Sequence, residues 1–355
     1  MFTNLNRRHF LVASSGLVLN ACDTPKQNSL TGSFLGVNYK AGHQLRFTQQ
    51  WPAPTQFKKS AHLILGAGIA GLAACRALDQ QQKDDYYLID LESSPGGNSR
   101  STQIHGVNCP LGAHYLPAPS DEAPELLEFL AQLNLGQYQQ GKWLWDERHL
   151  CHSPQERLYY QNEWHYGLLP PTTLDSPLQQ QYLKFAKLIQ AAMQEHWAIP
   201  SYQASWGELQ TSLIGLTMRQ YLQQNGISAT ELIWYLNYCC LDEYGAGLDH
   251  VSAWAGIHYF AGRKNNWSTK YKDQVFTWPE GNARLASLLK KYVEKKHLTK
   301  HVVYNVQVQG DKVELSIFDA EKNSSKKIIA EKVIVATPQY VNQYLFQDRK
   351  PFTKD

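Results

Sequence analysis

The chain has 355 residues, 43% of them hydrophobic, and a formal net charge of +3. That length exceeds one ordinary domain and suffices for two cores or one large two-lobed unit. The near-neutral charge argues against a nucleic-acid surface, and the mean hydropathy of −0.45, with no long apolar run, argues for a soluble body.

The N-terminus reads Asn6-Arg7-Arg8-His9-Phe10-Leu11 and continues as an apolar stretch to about Leu19. It is too short to span a bilayer, which takes about 20 residues. It ends in Leu19-Asn20-Ala21-Cys22. This order of features resembles a twin-arginine signal with a lipobox over residues 1–22. The resemblance implies passage through the twin-arginine translocase and lipidation of Cys22. It also implies a membrane held through the lipid anchor, with more than one acyl chain for stable binding. Asp23 resembles the signal for retention at the inner membrane, which places the protein on its periplasmic side. That route carries folded cargo, so a cofactor loaded in the cytoplasm is expected. The other five cysteines are scattered apart from Cys239-Cys240 and form no zinc-like pattern. Folding in a reducing compartment suits such a set. His149-Leu150-Cys151-His152 is the nearest approach to a metal motif, and no metal is expected.

Residues 23–60, rich in Ser, Thr, Gln and Pro, read as a tether, with His43 inside it. At Ala61 the pattern changes. Ala61–Leu65 is a short buried-type strand, Gly66-Ala67-Gly68-Ile69-Ala70-Gly71 a glycine turn, Leu72–Leu78 a helix, and Tyr86–Asp90 a second strand. A mainly helical stretch follows over 116–270. It has a helix from Ser120 to Leu135 stopped by Gly136, and a hairpin around Gln161-Asn162. A further helix begins near Pro177, with Tyr182, Phe185, Ile189 and Met193 on one face. From 271 the alternation returns. A helix is predicted over Ala283–Lys295, a hairpin over His301–Val308 and Lys312–Ile317, and a buried strand over Lys332–Ala336. The predicted class is α/β: a Rossmann-like domain in two parts, 61–115 and 271–355, with an inserted, mainly helical substrate domain.

Strand, GxGxxG turn and helix in this order bind a dinucleotide for a physical reason. Gly66 allows the tight turn, Gly68 lets a pyrophosphate reach the backbone, and Gly71 lets helix and strand pack closely. The helix start at Ile69 and Ala70 offers free N–H groups to the phosphates. Asp90 can accept hydrogen bonds from ribose hydroxyls, with Glu92 as runner-up.

Ser94-Pro95-Gly96-Gly97-Asn98-Ser99-Arg100 follows Asp90 at a fixed spacing, and three further segments come later in the chain. They are Pro110-Leu111-Gly112-Ala113-His114-Tyr115, Pro279-Glu280-Gly281-Asn282 and Val333-Ile334-Val335-Ala336-Thr337-Pro338. Together these resemble the superfamily of flavin-containing amine oxidases and carotenoid (phytoene) desaturases. The resemblance implies FAD, with Gly96, Gly97, Asn98 and Arg100 near its phosphates. Gly112, Ala113 and His114 would lie near the flavin ring, and Val306 against the adenine. An FAD loaded before export also stays bound where no nicotinamide pool is maintained. The implied activity is removal of a hydride from an amine or other small substrate, with oxygen or a quinone as electron acceptor. In the inserted domain Asp242, Tyr244 and His258 are candidates to line the substrate site. The competing reading of these three is a hydrogen-bonded core histidine beside a solvated acidic turn.

The sequence departs from the family in two ways. Cys75 stands where Gly or Ala is preferred. The chain also stops at Asp355, about 17 residues after Pro338, whereas the family continues through more of the substrate lobe. The expectation is a C-terminally truncated relative. A non-catalytic nucleotide-binding or partner-binding lipoprotein is therefore the alternative from another class, and a nicotinamide dehydrogenase a third reading.

Overall fold

The computed structural model describes residues 35–47, 50–152, 156–263, 274–293 and 296–346. Arg7, Arg8 and Cys22 of the expected export signal lie outside the described residues.

In chain order, the first half of the described chain contains α1 (Tyr39–Phe47), β1 (Pro54–Leu65), α2 (Ile69–Gln80), β2 (Tyr86–Ile89), β3 (Ser101–Ile104), β4 (Val107–Pro110), β5 (Tyr115–Pro117), α3 (Pro124–Gln132), β6 (Gly136–Gln139), β7 (Lys142–Trp145), β8 (Arg157–Tyr160) and β9 (Glu163–Tyr166). The helical stretch is α4 (Pro177–Ala192), α5 (Glu208–Ile214), α6 (Met218–Gln224), α7 (Thr230–Tyr244) and α8 (Ala253–Ala261). The chain then returns through β10 (Val275–Thr277), α9 (Ala283–Leu289), β11 (His297–Leu298), β12 (His301–Gln309), β13 (Lys312–Asp319), β14 (Ser324–Val335) and α10 (Asn342–Leu345).

The main sheet has the order β11-β2-β1-β14-β13-β12. β1 is parallel to both β2 and β14, and β12, β13 and β14 form an antiparallel meander. The run Leu63-Ile64-Leu65, at most 1% exposed, sits between neighbours on both edges. Such continuous apolar runs mark strands covered on both faces. Ile64 packs with Leu72 and Cys75 of α2, and Leu63 and Leu65 pack with Val306, Leu315 and Ile317 of the meander. Cys75 is fully buried, and burial pushes its thiol up to about 12.

Four expectations change here. β1 begins at Pro54, not at 61, and pairs with β14 along its whole length. Its first half, Gln56 to Lys59, is exposed, so it carries no buried apolar run and is held mainly by backbone pairing with β14. The segment read as tether also contains α1, which packs on Val302 and Phe318 through Ala41. In the insertion a second hairpin, β6–β7, appears beside the expected β8–β9. Its turn, Gln140-Gly141, has both residues at positive φ, 49° and 80°, the geometry that matches strand twist. Helix 283–295 is shorter than expected and ends in a 3-10 turn over Lys290–Tyr292.

The helical lobe has its own core of Phe185, Ile189, Trp197, Met218, Leu236 and Ile257. The capping box Thr217–Gln220 starts α6, with Thr217 Oγ1 accepting from Gln220 N at 3.2 Å and Gln220 Oε1 from Thr217 N at 2.8 Å. Gly245, at φ 64°, ends α7 in the left-handed conformation.

One tie links β2 to the end of the α9 segment. Tyr86, 2% exposed, donates its hydroxyl to Tyr292 O at 2.6 Å, and burial pushes its phenol up to about 12. Tyr86→Phe is expected to cost about 1–2 kcal/mol, because it leaves a carbonyl without its partner. Urea denaturation of the two proteins checks this.

Candidate functional site

The site begins where β1 ends. Gly66 has φ +97°, and a Cβ there would meet Ala336 O at 2.9 Å. A Cβ on Gly71 would stand 1.9 Å from Gly66 O, so only glycine lets α2 approach the turn. At Gly68 the situation is opposite: nothing lies within 4 Å of where a Cβ would be. The turn is thus crowded on its protein side and open at Gly68. Ile69 and Ala70 are exposed there. The first N–H groups of α2 have no acceptor within the helix, since the ladder starts with Leu72 N donating to Gly68 O at 3.0 Å. This arrangement fits a pyrophosphate, with its charge at the positive end of the helix.

Asp90 follows β2 and holds the turn from below. Its Oδ2 accepts from Ala67 N at 2.5 Å and its Oδ1 from Glu92 N at 2.7 Å. The second glycine turn lies on the first. Gly96 N donates to Ala67 O at 2.7 Å, and a Cβ on Gly97 would stand 3.0 Å from Gly68 Cα. Arg100 braces this second turn. Its Nε donates to Gly97 O at 3.1 Å, and its guanidinium pairs with Glu92 Oε2 at 3.0 Å, both side chains being mostly buried. The basic group expected at the phosphates is therefore engaged by Glu92 and by the turn itself. Arg100 also lines a polar cavity of about 300 Å³ with Ser94, Glu280, Arg284 and Lys290. Burial, and then the charge of Arg100, lowers the pKa of Lys290.

The third segment is locked to the second. A Cβ on Gly112 would meet Asn98 O at 2.6 Å, and Ala113 N donates to that same oxygen at 2.8 Å. Asn282, in the Pro279–Asn282 segment, donates its N–H to Ala113 O at 3.0 Å and its Nδ2 to Tyr115 O at 2.8 Å. His114 is exposed, with its ring edge-on to Tyr115 at 4.8 Å. Gly66–Gly71, Gly96–Asn98 and Gly112–His114 thus form one connected surface.

Tyr115 marks where the helical lobe meets that surface. Its phenol pKa is raised by burial first, then by Asp242, with Glu243 and Glu156 acting the same way and Arg263 opposing them. Arg263 pairs with Glu243 at 2.9 Å and lies 3.9 Å over the Tyr259 ring. Of the three candidates from the helical domain, Asp242 is electrostatically coupled to Tyr115. Tyr244 donates its hydroxyl to Ala255 O at 2.8 Å, and burial raises its pKa. His258 bonds Ala198 O at 2.7 Å and stacks on Trp254 with centroids 4.9 Å apart. Tyr244 and His258 therefore hold the lobe together. Glu156 and Arg263 carry no motif in the sequence, because they come from separate segments that only the fold brings to Tyr115, Asp242 and Glu243.

At the other end of the surface is a narrow cleft of about 60 Å³, lined by Gly66, Asp90, Val302, Val303, Leu45, Val341 and Leu345 among others. Val306 is not in its lining; it is 4% exposed and packs in the same apolar cluster as Leu65, Ile89 and Val303. A bulge between Val303 and Asn305 shifts the register of β12 between the lining residues and Val306. His43 lies on the exposed side of α1, its ring edge-on to Tyr39 and Phe47. His149 accepts from Trp278 Nε1 at 3.0 Å, and among the described residues no group of three or more His, Cys, Asp and Glu side chains could hold a metal.

His297 and His301 flank this cleft from β11 and β12. Burial lowers the pKa of both, against the charge of Asp90 for His297 and of Asp319 for His301; Lys290 acts with burial on the first, Lys326 and Lys322 on the second. With folded values below 6.5, the unfolded chain binds more protons in that range. Their contribution is complete above about pH 6.5 and is lost as pH falls toward the folded values. Denaturation midpoints are expected to drop from about pH 7.5 to about pH 5.5, and His297→Gln to flatten the decline.

Residues 64–133 match the family of NAD(P)-binding Rossmann-like domains. No curated protein matches the chain significantly. Among solved structures it is similar to cyclohexylamine oxidase from Brevibacterium oxydans IH-35A, with a TM-score of 0.59 and 17% identity over 83% of this chain and 62% of that one. Wild-type putrescine oxidase bound to putrescine gives a TM-score of 0.57 and 16% identity, covering 84% and 62% of the two chains. A CLA-producing fatty acid isomerase from P. acnes gives 0.51 and 16%, covering 82% and 62%. The chain spans less than two thirds of the length of each. It carries a Rossmann-like NAD(P)-binding domain and, over most of its described length, the fold of these oxidases and this isomerase.

Proposed function

We propose that the chain binds FAD and belongs to an amine-oxidase-like, FAD-dependent oxidoreductase acting on a small amine or related substrate. The observation that carries this reading is the single surface formed by Gly66–Gly71, Gly96–Asn98 and Gly112–His114. It is open at Gly68, where a pyrophosphate would meet the N-terminus of α2. When bound, FAD supplies the hydride acceptor, and the protein positions it and shapes the pocket. Gly68, Ile69 and Ala70 would hold the phosphates, Asp90 the ribose, and Gly112 to His114 would border the ring. The carboxylates of Asp242, Glu243 and Glu156, with one Arg263 against them, favour a cationic group beside Tyr115. Asp242→Asn is then expected to raise KM for an amine about tenfold, roughly 1.4 kcal/mol, with flavin content unchanged.

The location belongs to the same proposal. A folded, cofactor-loaded chain would leave through the twin-arginine translocase and stay on the periplasmic face of the inner membrane through lipid on Cys22. Among the described residues no helix is long and apolar enough to cross a membrane. Reoxidation would fall to oxygen or a membrane quinone.

The test is the visible absorption spectrum of the purified chain with Cys22→Ser. A flavin spectrum, with FAD released on denaturation, supports the reading. A folded, colourless protein that takes up no added FAD overturns it. One alternative is a nucleotide- or partner-binding lipoprotein without turnover. Bound flavin that no substrate bleaches would select it.

A further inference from the structure

We infer that helix α1 occupies the place of the cofactor's adenosine end, so that it must swing away before the dinucleotide can seat; this rests on the FAD reading above. The cleft beside Asp90 has Leu45 of α1 in its wall, facing Val302 and Val303, with Val341 and Leu345 closing it. As it stands it encloses about 60 Å³. A water takes about 30 Å³ of liquid, and pockets that hold small organic ligands enclose roughly 300–1,000 Å³. Adenosine and the docked helix therefore compete for one space.

Beside the cleft, α1 is also tied by polar contacts. Glu92, the second carboxylate after β2, accepts a hydrogen bond at Oε1 from Asn38 N at 2.6 Å, just ahead of α1. Arg46 lies 5.4 Å over the Tyr344 ring of α10, joining the two helices that close the cleft. The helix is nevertheless lightly held. Ala41 is its only buried residue, and Leu45 is half-buried. Elements with so few buried contacts open at low cost. The body of the site does not depend on it, because the glycine turns and Asp90 are fixed by β1, β2 and α2. α1 acts as a plug on the nucleotide site.

The test uses the full chain carrying Cys22→Ser, with FAD and ADP as probes. Amide hydrogen exchange over residues 39–47 is expected to speed up when either nucleotide is added. The combined variant Leu45→Ala, Arg46→Ala is expected to take up FAD about tenfold faster and to bind it more tightly. Far-UV circular dichroism checks that the variant folds. Slower or unchanged exchange in α1 on nucleotide binding, or slower uptake and weaker binding in the variant, overturns the inference and makes the helix a wall of the bound site. Uptake by both proteins at equal rates overturns it too. If neither protein takes up FAD or ADP, the cofactor reading fails first and the inference with it.

Discussion

Gly71→Ala is expected to abolish dinucleotide binding and to destabilise the chain by about 3 kcal/mol. The added Cβ would stand 1.9 Å from Gly66 O and 3.1 Å from Gly66 C, which are backbone atoms. No side chain can turn aside, so α2 must move off β1 or the turn must open. Either response shifts the helix N-terminus relative to Gly68 and spoils the phosphate site. Gly68→Ala is the control. Its φ of −70° suits any residue, and nothing lies within 4 Å of the new Cβ. Stability should therefore hold while FAD binding weakens, because the methyl group stands where a pyrophosphate would. Urea denaturation and FAD titration of the two variants separate these cases. If Gly68→Ala leaves binding intact, the phosphates do not sit on this turn.

The difference between these glycines was legible in the sequence, because the strand–turn–helix pattern fixes their roles within a few residues. The contacts of Gly97 with Gly68 and of Asn98 with Gly112 come from the fold, while the resemblance implied only that these segments lie near one cofactor. What could not be read depends on the register of distant strands or on contacts between lobes. The exposed half of β1 is a strand because β14 lies beside it. Val302 and Val303 line the cleft, and a bulge separates them from the rest of β12. α1 is polar on most of its surface and resembles a linker in composition, and only Ala41 and Leu45 give it a docking face. Likewise, the spacing of Trp254 and His258 correctly puts them on one face of a helix. Periodicity cannot say that this face meets Trp197 and Ala198 instead of a substrate.

That core face gives the second large effect. Trp197→Ala is expected to destabilise the helical lobe by about 3–5 kcal/mol. Trp197 is fully buried, donates Nε1 to Ala192 O at 2.7 Å, and lies against Trp254 and His258 with centroids 5.8 and 6.1 Å away. Truncation opens a cavity at the join between the end of α4 and α8 and removes one of the two donors to the carbonyl of Ala192, which keeps Glu195 N at 2.9 Å. The lobe's core shares no buried residue with the two cores that flank the main sheet. The damage should therefore stay largely in the lobe. In the variant, loss of helical signal is expected to precede release of flavin on heating, while the parent loses both together. Asp242 and Glu243 ride on α7, within the weakened lobe, so KM for an amine should rise even at temperatures where flavin stays bound. His258→Ala makes the complementary point. It removes one hydrogen bond and one stacked ring, and it is expected to cost about 1–2 kcal/mol without changing the rate of flavin reduction. A slowed reduction in that variant, with the fold intact, would instead place His258 at the substrate and return the lobe's aromatic core to the list of catalytic surfaces.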